Sequence, residues 1–117
     1  MTYVDGFVAA VPTASKEAYR KHAETTAAIF KEHGALSIVE CWGDDVPEGK
    51  INSLHTAVMR KEDETVVFSW TLWPDKAKRD AGWQKIMADP RMQPDVNPMP
   101  FDGSRMIYGG FDMIVGP

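Results

Sequence analysis

The sequence predicts an α+β fold with the element order β-α-β-β-α-β. Two observations carry that order. Short runs rich in β-branched and aromatic residues alternate with two longer stretches at helical period. Proline, glycine and aspartate mark the joins between them. The order is that of the ferredoxin-like split β-α-β arrangement, an antiparallel sheet with two helices on one face. At 117 residues the chain has the commonest size of a single domain, so residues 1–117 are expected to form one.

Tyr3 to Val11 alternates as a strand, and Pro12 ends it because proline cannot donate to a ladder. Thr13 to Gly34 reads as a helix, capped by Thr13 or Ser15 and stopped by Gly34 after His33. Its inward stripe is Tyr19, His22 with Ala23, Thr26, Ile29 with Phe30, and His33. Leu36 to Asp44 reads as the second strand, followed by the turn Asp44 to Lys50. Ile51 to Arg60 fits either a short strand or a helical turn, and as a strand it would make a five-stranded variant. Thr65 to Trp73 is the clearest strand. Pro74 and Asp75 open a second helix that runs to about Ala88, where Asp89-Pro90 closes it. Pro90 to Ser104 is a connection with four prolines, and Arg105 to Val115 is the last strand.

Composition excludes several classes of function. The net charge is −4, and the basic residues Lys76, Lys78 and Arg79 are interspersed with Asp75 and Asp80. No basic stripe arises, so neither nucleic acid nor an anionic membrane is an expected partner. The single cysteine, Cys41, permits no internal disulfide and no thiolate cluster. The start of the chain reads as a strand rather than a signal peptide, and no run approaches the ~20 apolar residues of a membrane span. A cytoplasmic location is expected.

The strand alternation says more. Tyr3, Asp5, Phe7, Ala9 and Val11 share one face, against Val4, Gly6, Val8 and Ala10. Val66, Phe68, Trp70 and Leu72 oppose Val67, Ser69, Thr71 and Trp73. In the last strand Ile107, Phe111 and Met113 oppose Met106, Tyr108 and Ile114. Both faces of the sheet are therefore apolar, and two helices cover only one. A solvated face alternates apolar with charged residues, and a bare apolar one exceeds what a monomer tolerates. A second copy laid sheet to sheet, a two-fold homodimer, is the economical cover. The alternative is that Pro90 to Ser104 folds over that face.

The motifs YVDGFV, FKEHGALSIVECWGDDVP, VVFSW and DPRM followed by MPFDGSRMIYGGF resemble the YbaA-like family of small bacterial proteins of unknown function. The likeness covers nearly the whole chain. It implies membership of the dimeric α+β barrel superfamily, with a ferredoxin-like fold and face-to-face sheet dimers. That superfamily includes cofactor-free monooxygenases, haem-degrading enzymes and muconolactone isomerases, and none of their catalytic sets maps onto these residues.

Candidate chemistry is sparse. His22 and His33 fall on one helix about 16 Å apart, too far to share a metal ion. With no C-x-x-C, H-E-x-x-H or His-x-His, no metal is expected, and no cofactor either. His33 in the last turn suits the helix dipole. His55 reads as a surface residue, and Cys41 as a small buried thiol. Asp5 and Glu40 are acids in the middle of apolar strands. A carboxylate there needs a partner, with Arg79, Arg91 and Arg105 available, or else serves as a base with raised pKa. Asp5, Glu40 and His22 are thus the candidate catalytic residues, and Trp42, Trp83 and Tyr108 the candidate ligand-binding ones. Gly109-Gly110 inside a strand marks a bulge or a close approach. The stretch NPMPFDGSR, residues 97–105, reads first as a structural strap and second as a pocket lid.

These features fit a homodimeric module that binds a small apolar or aromatic molecule. They also fit a cofactor-free enzyme of the monooxygenase or isomerase type, or an assembly protein without a site. A pocket walled by a desolvated carboxylate or histidine favours the enzyme; a pocket with no titratable wall favours plain binding.

Overall fold

The computed structural model describes residues 2–116. The elements are β1 (Tyr3–Pro12), α1 (Lys16–Glu32), β2 (Ser37–Trp42), α2 (Leu54–Ala57), β3 (Glu64–Trp73), α3 (Lys76–Ala88) and β4 (Ile107–Asp112). Four strands form one antiparallel sheet in the order β2-β3-β1-β4, the ferredoxin-like order. The chain is a slab of 38 × 37 × 20 Å.

Local signals account for most of the boundaries. A 3-10 turn over Thr13–Ser15 precedes α1, and neither residue caps it as expected from the sequence. Thr13 Oγ1 pairs instead with Thr65 Oγ1 at 2.7 Å, tying the turn to β3. Gly34, at φ 110°, ends α1 in the left-handed region that suits glycine. Asp75 caps α3 by accepting from the Lys78 amide at 2.7 Å. The segment left open by the sequence, Ile51 to Arg60, is the short helix α2 and not a fifth strand. A capping box of Ser53 and Thr56 starts it.

Both long helices lie on one face. Phe30 of α1 and Ile86 of α3 pack with Tyr3, Ala35 and Trp73. Tyr19 and Ala23 of α1 pack with Ala9, Val11 and Val67. Close approach requires glycine at two places on this face. A Cβ on Gly82 would fall 2.5 Å from the Trp73 ring, and one on Gly110 would fall 2.4 Å from Tyr3 Oη. The double glycine therefore admits the Tyr3 side chain into a continuous ladder, without the bulge its sequence suggested.

The other face carries Val4, Val8, Phe68, Trp70, Leu72, Ile107 and Phe111, and Phe68, Ile107 and Phe111 are exposed. The chain covers one end of it: Val58, just after α2, is buried against Ala10 and Val66. Pro90 to Ser104 does not cross it. That connection packs on the helix side, where Met92 and Phe101 join the two cores.

Candidate functional site

The proline-rich connection and the helix face of the sheet border a partly open cavity of about 310 Å³. Its floor is Phe7, Ala9, Val67 and Ser69 of the sheet, and α1 supplies one wall. Residues 92–101 form the roof. A volume of this size lies at the lower end for small-molecule sites, and the lining is mostly apolar, as such sites are.

Six polar side chains break that lining: Tyr19, His22, Thr26, Glu40, Ser69 of the floor and Asn97 of the roof. On α1, Tyr19, His22 and Thr26 stand three to seven residues apart and so share one face. Glu40 faces them from β2, because the register sets it opposite Ser69 on the helix side. Tyr19 Oη donates to Glu40 Oε1 at 2.5 Å. Burial pushes the Glu40 carboxyl above the ordinary carboxylate range, although hydrogen bonds from Tyr19 and Ser69 pull it back. Burial and the Glu40 charge drive the Tyr19 phenol well above its usual value. Glu40 belongs to an edge strand and is exposed as a whole residue; its carboxyl end reaches the cavity. Burial also lowers the His22 pKa below that of free imidazole, so the ring is neutral at pH 7. His22 Nδ1 lies 3.0 Å from Asn97 Oδ1 in the roof.

Two of the three candidate acid–base residues thus meet at one cavity, and the third does not. Asp5, on the inner strand β1, is buried beneath α3. Its Oδ2 accepts from Trp73 Nε1 and Trp83 Nε1, each at 2.9 Å. Arg79 grips the same carboxylate, with Nη2 at 2.7 Å from Oδ1. Every lone pair of Asp5 facing the interior is taken. Arg91 pairs with Asp89 and Glu32, and Arg105 with Glu64, so neither reaches Glu40.

The ligand-binding candidates divide in the same way. Trp83 lines the cavity. Trp42 stands outside it, tilted against Tyr19 at 6.2 Å, with Lys16 over its ring. Tyr108 is exposed and stacks on Phe7. Two side readings from the sequence are corrected. Cys41 is exposed, because it points to the open face of an edge strand. His55 is largely buried and hydrogen-bonds the Val46 carbonyl at 2.9 Å. His33, at the end of α1, meets Asp89 at 2.9 Å and so joins that end to the end of α3. Sequence patterns placed Tyr19 on the inward stripe and gave no sign of its role beside Glu40. Asn97 sits in a loop, where no periodicity says which side chain turns inward. Among the described residues, no three His, Cys, Asp or Glu side chains are grouped to hold a metal ion.

Fold and cavity together define a ferredoxin-like α+β protein with a partly open, mostly apolar site between helices and sheet. Residues 2–103 match the family model described as "Protein of unknown function (DUF1428)", and the chain belongs to that family. It is 57% identical over 115 residues to "Uncharacterized protein YbaA" of Escherichia coli (strain K12), covering 98% of both chains, and equally so to the protein of that name in Shigella flexneri. Among solved structures it resembles a dimeric ferredoxin-like protein from an uncultured marine organism, at TM-score 0.58 and 12% identity over 94% of this chain and 91% of the other. It also resembles a mutant of SnoaB, a cofactor-independent oxygenase from Streptomyces nogalater, at TM-score 0.55 and 18% identity over 98% and 93%. Both likenesses are of fold. No helix among the described residues is long and apolar enough to cross a membrane.

Proposed function

We propose that the protein is a homodimeric enzyme that takes a small, mostly apolar molecule into the cavity beneath residues 92–101 and moves a proton on it. The observation that carries this reading is the presence of His22 and Glu40, both partly desolvated, in the wall of one mostly apolar cavity. A plain binding pocket has no need of two titratable groups whose charged forms burial disfavours. Aromatic and methionine side chains in the lining, Phe7, Phe30, Trp83 and Met92 among them, suit a planar molecule of one or two rings.

The minimal chemistry is a proton shuttle. The neutral imidazole takes a proton from an acidic C–H or O–H of the molecule and returns it to a different atom. One bond to hydrogen breaks and one forms, and no oxidant or reductant is consumed. Glu40, with Tyr19, is a second proton-handling pair on the same cavity. A monooxygenation would begin with the same abstraction and would need dioxygen as its oxidant.

The homodimer forms through the open sheet face, whose exposed Phe68, Ile107 and Phe111 need a cover. A dimeric structural neighbour supports this assembly. A thermal-shift screen with small aryl ketones and phenols tests the site. Some members are expected to raise Tm, and the rise is expected to vanish in Ala23→Trp, which fills the cavity. Silence from the wild-type protein, or a rise that survives in Ala23→Trp, contradicts the assignment.

A further inference from the structure

The roof over the cavity is pinned at both ends by ion pairs. Asp89 binds Arg91 and His33 at the entry, and Arg105 binds Glu64 at the exit. Between these anchors Asn97 reaches across to α1. Its amide nitrogen donates to Thr26 Oγ1 at 3.3 Å and faces Met92 Sδ at 4.0 Å. A thioether sulfur has no hydrogen to give, so it takes the NH₂ side of a carboxamide and not the oxygen. The oxygen of Asn97 is thereby turned to His22 Nδ1, 3.0 Å away. That oxygen has no hydrogen either, so the hydrogen between them belongs to His22 Nδ1.

We propose that Asn97 is a positioning residue: clamped by Thr26 and Met92, its oxygen keeps the His22 proton on Nδ1 and leaves Nε2 as the atom that accepts a proton.

Free histidine has no such constraint, and its two tautomers compete. Here the choice is made by a residue of the roof, so the base is set only while residues 92–101 are seated on α1. His22, Asn97 and Met99 line both the cavity and a groove on the outer surface, so they form the partition between the two. The titratable side chains near His22 are Tyr19 on its own helix, Glu40 on β2 and Lys21 on the outer side. The roof and α3 present Met92, Met99, Phe101 and Trp83, none of them charged. Protonation at Nε2 leaves the Nδ1–H contact with Asn97 intact, so uptake of a proton does not unseat the roof.

This inference rests on the role given to His22 above, yet it is tested without any ligand. Long-range ¹H–¹⁵N spectra of ¹⁵N-histidine-labelled protein, recorded above the pH at which His22 titrates, report which ring nitrogen carries the proton. The wild-type protein is expected to show His22 protonated at Nδ1 and bare at Nε2. Asn97→Ala is expected to lose the pure Nδ1–H signature, and Asn97→Asp, which keeps an acceptor oxygen, to restore it. Unchanged His33 and His55 signals show that each variant is folded. A wild-type ring protonated at Nε2, or an Asn97→Ala ring that keeps its Nδ1 proton, overturns the proposal. If the tautomer is as expected and no ligand is turned over, the positioning stands and the catalytic reading falls.

Discussion

Arg79 and Asp5 form a two-pronged ion pair across the seam of α3 and β1, with Nη2 and Nε both on Oδ1, at 2.7 and 3.1 Å. The aspartate side chain is only 4% exposed, and two indole N–H groups complete its shell. Four N–H groups converge on this carboxylate, from Trp73, Trp83 and two nitrogens of Arg79. Its part is to tie Trp73 at the end of β3 to Trp83 and Arg79 of α3. Breaking such a pair strands a buried charge and costs about 3–5 kcal/mol. Asp5→Asn is expected to lower the unfolding free energy by about that amount, while Glu40→Gln, which keeps an acceptor for Tyr19, stays within about 1 kcal/mol of wild type. Urea unfolding followed by tryptophan fluorescence measures both. Equal losses in the two variants would place the acids in the same role.

Stability is expected to fall with acid in two windows. Burial lowers the His22 pKa below 6.5, so below that pH the unfolded chain binds the proton more readily and stability drops. Glu64 is held at about 2 by Arg105, against an ordinary 4.5, so its contribution is complete above about pH 4.5 and drains away towards pH 2. Asp89, held down by Arg91 and His33, acts in the same direction. Glu40 acts oppositely: its raised pKa makes the folded state the better proton binder just above pH 4.5. Urea midpoints measured from pH 8 to pH 3 check this. His22→Phe should flatten the upper step and Glu64→Gln should weaken the lower; slopes unchanged in both variants would refute the assignments.

Much of this was legible in the sequence because it depends on period and on local chemistry. Alternation in Tyr3 to Val11 and Thr65 to Trp73 fixed the strands and their two apolar faces. The stripe from Tyr19 to Phe30 fixed the inward side of α1. Gly34 marked a helix end by its backbone freedom and Asp75 a helix start by its capping side chain. What period cannot carry is the path of a loop. Residues 90–104 were free to cover either face, and their turn to the helix side depends on ion pairs between residues far apart in sequence, Glu32 with Arg91 and Glu64 with Arg105. For the same reason Asp5 and Glu40 looked alike as mid-strand acids. Tertiary contacts alone, a guanidinium for one and a phenol for the other, separate them.

The exposed face offers its own test. Val4, Phe68, Trp70, Leu72 and Phe111 form an apolar dish on the side away from the cavity. Sedimentation equilibrium at micromolar concentration is expected to give twice the 13.1 kDa chain mass. Phe111→Glu, which sets a charge on that face, is expected to give the single mass. A wild-type protein that sediments at 13.1 kDa would rule out the sheet-to-sheet dimer.

The cavity as a place where a proton is moved is tested most directly by isotope exchange. Aryl ketones that raise Tm are incubated with the protein in deuterium oxide, and loss of their acidic C–H signals is followed by NMR. Wild-type protein is expected to speed that exchange, by about 10²-fold or more if His22 is the base. His22→Ala is expected to bind the same compounds and leave the exchange at its rate in buffer. Exchange no faster with wild-type protein than in buffer, or equally fast with His22→Ala, would contradict it.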